Sequence, residues 1–493
     1  MPARREIIMG AAALAAWRFL IPNPLTAETA PPTVDPFAFG VASGDPTMDG
    51  FVLWTRLAGR RGDQHVGYEI APDDSFRRIV RRGRAIAPAA RANAVHVEVS
   101  GLWPGRPYFY RFHHAGTVSR TGRTLTAPAR SDRLRLALTS CQHWEQGWFT
   151  TYRDMVDQAP DLVLQVGDYI YEKSFGAGPD VRCFGAPEPV TLADYRARHA
   201  LYRTDPDLQA AHAALPFVVT WDDHEVENDY AGLQGVETID PRAFAARRAA
   251  AYQAYFEHMP LRRASIARLY RRLRWGDLAT LHVLDCRRYR TPQPCGRGGH
   301  VIGHCAALEA PGATMTGAEQ ERWLVDGLRS ERAQWSLLVQ QTLFARLHLP
   351  QGPEARYSDI WDGYPASRQR VIDALQVPSV RNALILGGDV HSFWFNDIHR
   401  DAERNAGPVV ASEVVASCLA SRNGPPALFD SAMRLNPHVR FLDNTRAGYV
   451  LIDIDRTAAT IDCRAIDSLT DREAATHSLI RRTIADRLPG FLS

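Results

Sequence analysis

The sequence has almost no lysine. Lys173 is the only one, and arginine makes up the rest of the 58 basic residues. Two causes fit that bias: genome composition, and selection for guanidinium forks that grip phosphate in two places. Net charge is only +3 over 493 residues, which excludes the strong field of a nucleic-acid or anionic-membrane binder. Cysteine is also scarce. Seven residues exclude a disulfide scaffold, and the odd count leaves at least one thiol outside any intramolecular bridge. No fixed-period repeat occurs, which excludes a repeat array. After the first thirty residues no apolar run approaches the roughly 20 residues that span a bilayer. What is present is ordinary: 45% hydrophobic and 23% charged residues, ample for a large core and incompatible with general disorder. The length predicts about three domains.

The first thirty residues read as a targeting segment. Arg4-Arg5 precedes Ile7-Ile8, and an Ala-rich stretch runs to Trp17 before Arg18, Pro22 and Pro24 interrupt it. Basic residues before a short apolar core make a secretory signal. The paired arginines resemble the twin-arginine export motif. Cleavage after Ala27 or Ala30 is expected. The twin-arginine machinery is then a partner, and the product is exported, periplasmic or secreted, with no transmembrane anchor.

Two regions follow with different patterning. Over 36–128 the signals are short and β-like: Phe51–Thr55, the alternating Val95–Val99, then a Gly/Pro turn before Tyr108–Phe112. The turn and aromatic strand resemble a fibronectin type III module, so this region is read as a β-sandwich domain. From about 132, apolar strands alternate with helical patterns, which predicts an α/β layer. Leu134, Leu136 and Leu138 alternate; Phe149, Tyr152 and Val156 repeat at helical spacing; Pro241–Tyr255 reads as a surface helix. Residues 174–190 and 291–316 read as long loops beside the chemistry.

Several apolar runs end in the same kind of residue. They end in Ser140-Cys141-Gln142, Gly167-Asp168-Tyr169-Ile170-Tyr171-Glu172, Trp221-Asp222-Asp223-His224-Glu225 with Asn228, Asp285–Arg290, and Gly387-Gly388-Asp389-Val390-His391. Singly each is weak: a lone Gly-Asp is usually a turn, and a lone buried cysteine a small hydrophobe. Together, at the strand ends where α/β sheets bind ligands, they indicate a metal site. Asp168 is the natural bridge between two cations. Cys141 and Tyr171 as anionic donors suit a trivalent ion, whereas Asp223, Asn228 and Asp389 suit calcium or another hard divalent ion. His224 and His391 ligate or act as acid and base.

These blocks, with Phe39–Pro46, Gly317–Leu324 and Trp361-Asp362-Gly363-Tyr364, resemble PhoD-type alkaline phosphatases of the calcineurin-like metallophosphoesterase superfamily. The resemblance implies a four-layer α/β/β/α catalytic domain over 132–455, with 456–493 packing on it. It implies Fe3+ held by Cys141, Asp168, Tyr171 and His391, and Ca2+ served by Asp168, Asp223, Asn228 and Asp389. Adjacency to His224 favours Asp223 over Asp222. The implied reaction releases phosphate from phosphate esters by in-line attack of metal-bound hydroxide, with His224 beside the leaving oxygen. Arg287 and Arg290 are expected at the substrate phosphate. Asp285 orients an arginine or touches a metal. Phosphodiesterase or phospholipase D-type activity on the same metal site is the alternative. Cys295 and Cys305, ten apart in a Gly-rich loop, either pair or stay as two thiols.

Overall fold

The computed structural model describes residues 35–492 apart from 177, 179 and 425–431. The targeting segment read at 1–30 lies outside the described residues. Eight strands come first: β1 Val41–Thr47, β2 Gly50–Arg56, β3 Gln64–Ala71, β4 Arg81–Ala87, β5 Ala94–Val99, β6 Pro107–His114, β7 Thr117–Val118 and β8 Gly122–Leu125. Next are β9 Arg133–Thr139, α1 Thr151–Gln158, β10 Leu162–Gln165, α2 Leu192–Tyr202, α3 Pro206–Ala214, β11 Pro216–Val219 and α4 Pro241–His258. The chain continues through β12 Arg271–Trp275, β13 Ala279–Val283, β14 Val301–Ile302, α5 Ala318–Arg329, β15 Trp335–Val339, β16 Arg356–Tyr357, α6 Pro365–Leu375 and β17 Asn382–Gly387. It closes with β18 Phe393–Asp401, β19 Ala406–Val415, β20 Val439–Asp443, β21 Gly448–Asp455, β22 Ala458–Ile466, β23 Thr476–Ala485 and β24 Leu488–Leu492. Helix starts follow local chemistry. Asp240 caps α4 by accepting from the Ala243 N–H, with Pro241 in the first turn. Thr191 and Asp194 form a capping box on α2.

Ten strands form one sheet, in the order β24-β23-β22-β21-β9-β10-β11-β1-β2-β5, and seven form a second, β12-β13-β15-β17-β19-β18-β20. The alternation of β9 decides how they meet. Leu134, Leu136 and Leu138 share one buried cluster with Leu337 and Val339 of β15 and Leu384 and Leu386 of β17. Each such leucine contributes about 1.5–3 kcal/mol, and the two sheets therefore pack face to face. The opposite face of β9 to β11 (Ala137, Val163, Phe217) packs on Tyr152, Tyr195, Leu208 and Ala251 from α1 to α4. Leu338 and Ile385 of the second sheet turn outward onto Leu324, Val371 and Ile372 of α5 and α6. Among the described residues no helix is long and apolar enough to cross a membrane.

The N-terminal region differs from a free-standing module. β3, β4 and β6 to β8 form their own sheet, and Val66, Ile70, Tyr110 and Phe112 face Phe51 and Leu53 of β2. Yet β1 runs parallel to β11, with Ser43 opposite Pro216, so β1, β2 and β5 continue the ten-stranded sheet. A parallel pairing across so many residues leaves no local pattern to read. From Pro36 onward the chain is one compact unit. The boundary drawn at 455–456 falls in the turn between β21 and β22, which pair antiparallel. The C-terminal segment thus supplies three strands of the sheet as well as packing on the second, where Phe491 stacks on Phe395 with ring centres 4.9 Å apart.

Candidate metal centre

β9, β10 and β11 are parallel in one sheet, and β13, β15, β17 and β19 in the other. Their carboxyl ends deliver the chemistry. One donor atom each from Cys141, Asp168 and His391 lies within 4.8 Å of the others. The same holds for Asp168, Asp223 and His224, and for Asp168, Asp222, Asp223 and Asp389. Asp168 belongs to all three groups. The Tyr171 hydroxyl lies 2.9 Å from Asp168 Oδ2 and 3.1 Å from His391 Nε2. His391 Nδ1 donates to the Arg422 carbonyl at 2.6 Å, which leaves Nε2 as the lone-pair nitrogen, the arrangement found at metal-bound histidines. Asn228 stands at the rim. Its backbone N–H donates to Glu172 Oε1 at 3.1 Å, and its side-chain amide makes no hydrogen bond among the described residues.

The backbone is bent to present these groups. Cys141, Asp168, Asp389 and His391 have φ of 56°, 55°, 70° and 50°. Left-handed conformations at such residues cost on the order of 1–3 kcal/mol each and persist only where the surroundings dictate them. Glu225 is one such constraint. Its carboxylate accepts from the Asp168, Tyr169 and Asp222 backbone N–H groups at 3.0, 2.6 and 2.7 Å, tying two strand ends together. Gly167 is another. Its φ is +120°, and a β-carbon there would sit 2.3 Å from Asp222 Cβ. Gly167→Ala is therefore expected to destabilise the fold by roughly 3 kcal/mol or more. A urea midpoint equal to wild type would contradict that close approach.

Electrostatics favour a cation. Burial raises Asp168 well above the usual carboxylate range, and Asp223 and Asp222 raise it further. Burial likewise pushes the Cys141 thiol and the Tyr171 phenol well up, reinforced by Asp168. Asp389 is pushed up to about 7 by burial. Asp168 Oδ1 is buried without a hydrogen-bond partner, and Asp223 Oδ1 has only the Arg287 guanidinium, 3.4 Å away. Such orphaned acceptors are costly unless something positive meets them. His224 is the counterpart: burial opposes its charge, but Glu172, Asp168 and Asp223 outweigh burial and raise it well above the usual histidine range.

A family model described as PhoD-like phosphatase matches residues 136–463, and one described as PhoD-like phosphatase, N-terminal domain, matches 24–128. The chain belongs to the PhoD-like phosphatase family. It is similar to alkaline phosphatase D of Bacillus subtilis (strain 168), with 41% identity over 464 residues covering 89% of this chain and 79% of that protein. A solved structure of PhoD superposes with a TM-score of 0.88 at 39% identity, covering 93% of this chain and 92% of that one. A purple acid phosphatase from yellow lupin seeds shares the fold, with a TM-score of 0.57 at 13% identity, covering 90% and 74%. This PhoD-like chain is accordingly a metal-dependent phosphoesterase, a phosphoric ester hydrolase.

In this PhoD-like phosphatase the two arginines expected at the substrate phosphate have other partners. Arg287 is wholly buried. Its Nε donates to Asp222, its Nη1 to both oxygens of Asp359 at 2.9 and 2.8 Å, and its Nη2 lies 3.4 Å from Asp223 Oδ1. Arg290 binds Asp359 Oδ1 at 2.7 Å and the Tyr230 carbonyl at 2.6 Å. Both hold the carboxylate frame. Asp285 accepts from the Arg287 and Arg288 N–H groups at 3.1 and 2.9 Å, so it shapes the turn and stands outside the metal groups. Cys295 and Cys305 are joined in a disulfide. Their loop docks through the Gly299 N–H on Asp229 Oδ2 at 2.8 Å.

Sequence reasoning missed several members. Asp359 forms a fourth acidic group with Asp223 and Asp229, yet it follows no apolar strand and so carried no positional signal. Thr342 donates to Asp389 Oδ2 at 2.6 Å. Gln341 links the sheets through Thr220 Oγ1 at 2.8 Å and the Leu284 carbonyl at 2.9 Å. Both lie just past β15, where the rule that strand ends carry function would have found them. Glu172 grips His224 Nδ1 at 2.7 Å.

Proposed function

We propose that the protein is an exported alkaline phosphatase that releases phosphate from phosphate monoesters, using Fe3+ and Ca2+ held around Asp168. The frame we assign is the four-layer α/β/β/α metallophosphoesterase sandwich, led by a fibronectin type III-like β-sandwich. One observation carries the reading: Asp168 is common to three donor groups and keeps a buried oxygen without a partner. The donor chemistry supports a division of the two ions. Thiolate, phenolate and imidazole from Cys141, Tyr171 and His391 suit the trivalent ion. The oxygens of Asp223, Asn228 and Asp389 suit calcium. Asp168 serves both.

When bound, the cations supply Lewis-acid charge for the phosphoryl oxygens and an activated water for in-line displacement. The chain's own residues do the rest. Glu172 takes His224 Nδ1, fixing the ring and leaving Nε2 to face the ester. A charged imidazole there donates its proton to the leaving oxygen. Arg287, a buried positive charge ion-paired with Asp222, Asp223, Asp359 and Asp389, holds these carboxylates in place and, against the effect of burial, helps keep Asp223 below its usual range. It is a positioning residue.

The test is hydrolysis of p-nitrophenyl phosphate against bis-p-nitrophenyl phosphate at alkaline pH with calcium. Faster turnover of the monoester supports the proposal. Faster turnover of the diester replaces it with a phosphodiesterase or phospholipase D-type activity on the same site. For the iron side, Tyr171→Phe is expected to abolish any visible phenolate-to-iron absorption band. Persistence of that band in the variant removes Tyr171 from the iron shell.

A further inference from the structure

A second concavity lies away from the acidic groups. A cavity of about 860 Å³ opens between β4 and β5 of the N-terminal strands, helix α4 and the 261–266 turn. That size falls within the range of small-molecule sites, about 300–1,000 Å³. Its lining has two characters. Ile86, Phe256, Leu261 and Ile266 make an apolar wall, and Ile86 and Ile266 are 55% and 42% exposed although large and aliphatic. Opposite polarity comes from Arg91, Arg263 and Arg288, none of which has an ion pair among the described residues. The one carboxylate in the lining is spent: Glu257 accepts from Arg196 at 2.6 and 2.7 Å and from Gln253 at 2.9 Å. His96 shares the lining and is held below its usual range by burial first and then by the Arg91 and Arg263 guanidiniums, so the ring brings no competing charge.

We infer that this cavity binds an amphipathic organic anion, an alkyl or acyl chain ending in a phosphate, phosphonate or carboxylate head. The guanidiniums meet the head, and the apolar wall takes the chain. The occupant lies outside the metal centre, because no lining residue belongs to the acidic groups. It abuts them through one wall. Tyr252 in the lining stacks face to face on Trp221 at 4.1 Å, and Trp221 immediately precedes Asp222.

The experiment is calorimetric titration of the metal-loaded protein with dodecylphosphonate below its micelle concentration. Dodecyl maltoside probes the chain without the charge, and inorganic phosphate the head without the chain. Dodecylphosphonate is expected to bind, and the maltoside to bind at least tenfold more weakly. Arg91→Gln/Arg263→Gln is expected to weaken dodecylphosphonate at least tenfold while hydrolysing p-nitrophenyl phosphate at the wild-type rate. Ile86→Ser, at an exposed position, should weaken it too. Equal affinity in wild type and the double variant overturns the inference. So does equal binding of the maltoside, or complete displacement by inorganic phosphate, which would assign the binding to the metal centre.

Discussion

Asp168→Ala is expected to lose hydrolysis and metal together. The residue stands in three donor groups at once, so under the proposed two-ion reading its removal opens both sites, unlike the loss of Cys141 or Asp389. A loss of about 10⁴-fold or more in kcat/KM is expected, roughly 5–6 kcal/mol of transition-state stabilisation. Stability separates this from simple misfolding. Without cations, burial and the neighbouring Asp223 and Asp222 hold Asp168 well above its ordinary range, so its charge is a burden on the metal-free fold. Alanine removes that burden, and the metal-free variant is expected to unfold at the same urea concentration as metal-free wild type, or higher. Wild type gains stability from ions that bind only the folded state, and a chelator should lower its Tm. The variant's Tm should not respond. Full turnover by a folded Asp168→Ala protein, or a Tm that still falls with chelator, sinks the bridging role.

The reason so much of this centre was legible is that it sits where local sequence is least ambiguous. β10, β11, β13, β15 and β17 are short, largely apolar runs buried throughout, and β9 is buried from Leu136 onward; polar residues just beyond such runs stand out against them. Cys141, Asp168, Asp223, His224, Asp389 and His391 all follow one directly. What the sequence hides is set by long-range contact. Arg287 reads as a phosphate clamp because a guanidinium fork matches two phosphate oxygens. Only the arrival of Asp222, Asp223 and Asp359 from distant segments turns it inward. The union of β1 with β11 is hidden for the same reason. Parallel pairing imposes no turn and no register mark on either strand, so a module boundary that looks natural at 128–132 is crossed by hydrogen bonds at Ser43 and Gly44.

His224→Asn gives the second large effect, and its size should depend on the ester. The asparagine amide reproduces the Nδ1–H that Glu172 holds at 2.7 Å, so the fold and the carboxylate frame are retained. The Nε2 proton is lost. An alkyl phosphate needs protonation as its alkoxide departs, and a general acid contributes about 10²–10⁴-fold there. A p-nitrophenolate departs as a stable anion and needs little such help. The variant should therefore lose about 10²-fold or more on an alkyl phosphate and far less on p-nitrophenyl phosphate. Glu172→Gln should show the same selectivity in milder form, because it leaves the ring present but weakens the charge that keeps it protonated. A uniform loss on both esters would mean that His224 binds metal or substrate equally in ground and transition states. In that case the proton must come from elsewhere in the centre, and the position of His224 in the Asp168–Asp223 donor group would identify it as a ligand.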